Sequence, residues 1–129
     1  MLRQWEEFPV GPDSAENSLH VTLSKKGEIT IGAKAFARLG KPDLAVLLFD
    51  KADSVIGLMP SNKFAKNAYP LHAKLKGGHR IVRAHKFCRH YNIKVDRTTA
   101  FNGAHLDEEG VLILDLKATT AIGKPTPLS

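Results

Sequence analysis

Leu19, Val21 and Leu23 alternate with polar residues, Ser24-Lys25-Lys26-Gly27 breaks the pattern, and Glu28-Ile29-Thr30-Ile31 takes it up again. A period of two on both sides of a turn specifies a β-hairpin. The chain keeps to that short scale. From Ala33 to Leu39, Ala35 and Leu39 share one helical face and Lys34 and Arg38 another. Gly40 stands where a left-handed cap is wanted, and Pro42 prevents continuation. Ala45 to Phe49 and Val55 to Met59 form a second hairpin around Asp50 to Ser54, ending at Pro60. The longest apolar run, Leu44 to Phe49, is six residues, too short to cross a bilayer. A chain of 129 residues makes one ordinary domain or two very small ones. The expected class is mainly β with short helices.

The first eighteen residues hold Pro9, Gly11 and Pro12 without periodicity and read as a tail, with Trp5 and Phe8 as its anchors. They also lack the apolar stretch of a secretory leader, which points to a cytoplasmic protein. The ordered chain is expected to start with a strand-helix-hairpin unit over 19–60. Residues 61–78 are basic and irregular, with Pro70 and Gly77-Gly78, and read as a linker or loop. The order then recurs over 79–117. Arg80 to Arg83 suits a strand, and Ala84 to Tyr91 a short helix closed by Asn92, the usual substitute for glycine at a left-handed cap. Val95 to Phe101 and Val111 to Leu116 suit a further hairpin, with turns at Asn102-Gly103 and Asp107-Glu108-Glu109-Gly110. Residues 118–129 read as a C-terminal tail. A shift of 52 residues matches Ile29 to Ile81, Lys34 to Lys86, Ala35 to Phe87, Leu39 to Tyr91 and Gly40 to Asn92. The shared property is role more than identity.

The segment Gly27-Glu28-Ile29-Thr30-Ile31-Gly32-Ala33-Lys34-Ala35-Phe36-Ala37-Arg38-Leu39-Gly40 resembles the signature of the AbrB/SpoVT/MraZ swapped-hairpin transcription factors. The resemblance covers 19–60 well and 80–116 loosely, and two tandem copies are similar to the MraZ arrangement. It implies a swapped-hairpin small barrel built from two strand-helix-hairpin repeats, because one such unit has too few strands to close a core. It also implies a bacterial-type regulator that grips DNA with arginines on its first strand and helix. In the first copy those positions hold Glu28, Phe36 and Ala37, and the usual proline is Gly32. In the second copy they hold Arg80, Cys88 and Arg89. The second copy is therefore the expected binder.

Charge placement agrees. Of nineteen Lys and Arg residues, ten lie between Lys63 and Arg97, where the single acid is Asp96. A basic block on a near-neutral body suits a polyanion, with duplex DNA first. Lys74, Lys76, Arg80, Arg83, Lys86, Arg89 and His90 are the candidate nucleic-acid contacts. Lys86, Arg89 and His90, at i, i+3 and i+4, share one helix face. The other class is a protein-interaction module meeting an acidic partner, and a homodimer or higher homo-oligomer is compatible with either.

His79, His85, Cys88 and His90 contain potential zinc ligands, but their spacing fits no standard finger and no second cysteine exists. Cys88 reads instead as a small buried hydrophobe. There is no Walker loop, no Gly-x-Gly-x-x-Gly and no His-Glu-x-x-His, and Asp107 to Gly110 is turn chemistry. The expectation is a non-enzymatic protein without metal or cofactor.

Overall fold

A computed structural model describes residues 3–5, 19–62, 66–73 and 77–122. In chain order these form β1 (Val21–Leu23), β2 (Glu28–Ile31), α1 (Ala33–Arg38), β3 (Leu44–Asp50), β4 (Val55–Ser61), β5 (Ala68–Pro70) and β6 (His72–Ala73). There follow β7 (Arg80–Arg83), α2 (His85–His90), β8 (Thr99–Phe101), β9 (His105–Leu106), β10 (Leu112–Asp115) and β11 (Thr119–Ala121). The fold is mainly β, as the alternation requires. One antiparallel sheet has the order β11-β8-β1-β2-β7-β6, and the other β5-β3-β4-β10-β9.

Alternation decides what each sheet buries, because directly opposed residues of an antiparallel pair share a face. In the first sheet Leu23 opposes Ile29, and Ile29 opposes Val82. In the second, Leu58 opposes both Leu47 and Leu112, and Ile56 opposes both Phe49 and Leu114. Ile29, Val82, Leu58, Ile56, Leu112 and Leu114 have no exposed surface. The two inner faces and the inward sides of the helices, through Ala35, Phe36, Phe87 and Cys88, meet in one core. No helix among the described residues is long and apolar enough to cross a membrane.

The 52-residue recurrence is sharpest at the helix ends. The Gly40 N–H donates to the Ala37 carbonyl and the Lys41 N–H to that of Phe36, each at 3.0 Å. After α2 the same two bonds run from Asn92 to Arg89 at 3.2 Å and from Ile93 to Cys88 at 2.8 Å. Both are Schellman caps, with Gly40 at φ 87° and Asn92 at φ 55°. The strands are less alike. Val82, not Ile81, opposes Ile29, so Ile81 lies beside Thr30 on the other face of the sheet. The 52-residue alignment thus holds for helices and caps and slips by one residue in strand facing.

Five expectations need correction. The two sheets are open and do not close a barrel, since their edges end in strands as short as His72–Ala73 and His105–Leu106. The Val95 to Leu116 stretch is not one hairpin. β8 pairs with β1 and β11, whereas β10 pairs with β4 and, across the Asp107 turn, with β9. Phe101 is buried at the end of β8, and the Asn102-Gly103 turn separates it from β9 in the other sheet. Residues 61–78, expected as a linker or loop, contribute β5 and β6, which find partners in β3 and β7. Within the expected C-terminal tail, β11 pairs with β8. Most of the N-terminal tail, Phe8 included, lies outside the described residues. Trp5 is no anchor: it is 84% exposed, with the Arg3 guanidinium 6.0 Å from its ring centroid.

Candidate nucleic-acid interface

The site begins at the turn between β1 and β2. The Ser24 carbonyl accepts from the Gly27 N–H at 2.9 Å, and the Ser24 hydroxyl accepts from the Glu28 N–H at 3.1 Å. Gly27 then does two things that a residue with a side chain does poorly. Its φ is +85°, and a Cβ there would sit 2.8 Å from the Cα of His85. Its carbonyl also accepts from the Ala84 N–H at 2.9 Å. The turn is thereby laid against the start of α2, 57 residues away along the chain. Gly27→Ala is expected to lower stability by about 1–3 kcal/mol through strain alone, read as a drop in melting temperature. A melt unchanged from that of the parent chain would show that the turn can move off the helix freely.

α2 divides cleanly. Phe87 and Cys88 are buried, while His85, Lys86, Arg89 and His90 are exposed. Phe87 packs with Phe49 and Tyr91, at ring-centroid separations of 6.1 and 5.1 Å, which fixes the helix on the core. The Asn92 cap then turns the chain so that Ile93 is half-buried and Lys94 exposed. Between the turn and the helix lies a groove of about 720 Å³. Its exposed lining includes Lys25 and Lys26 from the turn, His85 and Arg89 from α2, and Lys94 after it. Leu23 and Cys88 form buried lining below, and Asp96 is the one acid. Burial pushes the Cys88 thiol above its ordinary pKa, which makes it a poor thiolate.

The residues singled out in the sequence fall into three groups. Lys86, Arg89 and His90 share the exposed side of α2, and Arg83 is exposed on β7, opposite Glu28 of β2. Arg80 is set apart. It lies on the Val82 side of the strand, half-buried, with its guanidinium 4.3 Å from the Phe36 ring centroid. Its Nη1 donates to the His79 carbonyl at 3.1 Å. Arg80 therefore ties β7 to α1 by a cation–π contact. Lys74 and Lys76 lie outside the described residues.

Four groove residues were not among those contacts: Lys25, Lys26, His85 and Lys94. Lys25 and Lys26 carry a signal only through Gly27, whose role depends on a partner far along the chain. His85 stands out in the sequence only as a potential metal ligand, and Lys94 only as one of the basic block. Among the described residues no three His, Cys, Asp or Glu side chains gather into a metal-holding group. The chain matches no protein-family model, no curated protein and no solved structure.

Proposed function

We propose that this protein is a cytoplasmic, non-enzymatic regulator that binds duplex DNA through the exposed side of α2 and the groove beside it. The observation that carries the reading is the convergence of Lys25, Lys26, Arg89 and Lys94 on one groove that contains a single acid. Lys86, three positions before Arg89 on the exposed side of α2, adds a further cation next to it. Lysine offers a point charge to phosphate, and arginine a planar fork that suits phosphate or a guanine edge. The recurrent strand–helix–Schellman unit supports the swapped-hairpin likeness, with two such units in one chain. In that reading the second unit supplies the contacts, and the first contributes packing and the Ser24–Gly27 turn.

Duplex binding is tested by fluorescence anisotropy across a salt series. Each neutralised phosphate contributes about −0.9 to the slope of log affinity against log salt, so three to five contacts predict a slope of about −3 to −5. A slope near zero, or no binding at low salt, would overturn the reading in favour of an acidic protein partner.

A further inference from the structure

We propose that a second cleft, across the Asn92–Asp96 segment from the basic groove, takes an unpaired base and adjoining phosphates of a single-stranded nucleic acid. This goes beyond duplex binding and does not rest on it. The cleft measures about 590 Å³ and is lined by Phe49, Tyr91 and Leu116 together with Lys94, Arg97 and Lys117. Phe49 comes from β3 and Tyr91 from the C-cap of α2, and both are half-buried, with ring centroids 4.7 Å apart. Lys94 and Arg97 are exposed beside these rings, and Asp96 is the one acid in a lining that also holds Ser54, Thr99 and Thr119. The Lys117 ammonium is already engaged by the Asp115 carboxylate and the Asp53 carbonyl, so Lys94 and Arg97 supply the charge for a ligand.

Half-buried aromatic rings beside unengaged cations are the elements of a single-strand platform, on which bases stack while the backbone follows the charge. A base within a duplex is already paired and stacked, and cannot reach such a floor without leaving the helix. The continuity of charge selects a polymer over a small aromatic anion. Asn92 to Asp96 line both this cleft and the basic groove, so a strand leaving the aromatic cleft at Lys94 meets Arg89, Lys25 and Lys26 next. That path bends around a loop, which a flexible strand can follow.

The test uses the full chain and a fluorescein-labelled oligothymidylate of about 12 nucleotides, within the usual site size of single-strand binders. The expected result is salt-sensitive binding that Arg97→Glu weakens by about tenfold or more, with melting temperature and duplex affinity unchanged. A 5-bromouracil-substituted probe should cross-link on irradiation to the peptides holding Phe49 or Tyr91, a readout that needs no variant. Cross-links confined to the Ser24–Gly27 turn, or an affinity indifferent to Arg97→Glu, would overturn the proposal. Duplex binding without retention of the oligothymidylate would also overturn it and leave the duplex reading intact. Retention of the oligothymidylate alone would have the opposite consequence.

Discussion

Arg89→Glu is expected to weaken duplex binding by about 3 kcal/mol, roughly a hundredfold, without lowering the melting temperature. Arg89 is exposed at the groove edge, one position C-terminal to buried Cys88, so its replacement leaves the core untouched. The variant loses a favourable charge and places a carboxylate where phosphate must approach. Lys34→Glu on α1 is the control, since Lys34 occupies the position of Lys86 in the first unit. It should cost far less, because the equivalents of His85 and Arg89 there are Ala33 and Ala37. Equal losses at Lys34 and Arg89 would remove the asymmetry between the two units. Arg89→Ala separates base reading from phosphate contact. A guanine contact predicts a loss of about 1–3 kcal/mol with relaxed preference at one position. A phosphate contact predicts a uniform loss and a salt slope reduced by about one.

The largest stability effect is expected at Leu58. It has no exposed surface and lies between Leu47 and Leu112, so its truncation opens a void that rigid ladders on both sides cannot fill. Leu58→Ala should cost about 2–5 kcal/mol, measured by urea denaturation as a lower midpoint with the slope preserved. Met59, the next residue, is 38% exposed on the opposite face, and Met59→Ala should cost much less. Similar losses at the two positions would mean that the facing of β4 is not the one described. A domain this small has a margin of only about 5–15 kcal/mol, so the Leu58 variant separates structural failure from loss of binding in the experiments above.

Short-range chemistry made several features legible from residues alone. The β1–β2 hairpin, the β3–β4 hairpin, both helices and both caps depend on neighbours within a few positions, and each followed from alternation, Gly40, Pro42 or Asn92. The exposed cationic side of α2 was legible for the same reason, because i, i+3 and i+4 spacing fixes what shares a helix face. β5, β6, β9 and β11 were not. Each has only two or three residues, too few for a period to register, and each exists because a strand distant along the chain or across a turn supplies hydrogen-bond partners.

What the sequence by itself determined was the local elements: two hairpins, two capped helices, and a basic segment carrying Arg83, Lys86, Arg89 and His90. What only the tertiary structure decided was the pairing. The facing of β7 rests on its register against β2, and one residue of slip exchanges Arg80 with Arg83 between the Phe36 side and the open side. The partition of β8 and β10 between two sheets rests on long-range pairing, β8 with β1 and β10 with β4. The groove depends on Gly27 meeting His85 and Ala84, a contact between segments that carry no mark of each other along the chain. Local periodicity specifies faces and ends because it is set by neighbouring residues. Long-range register is set by the packing of the whole core, and it brought Lys25 and Lys26 beside Arg89 and Lys94.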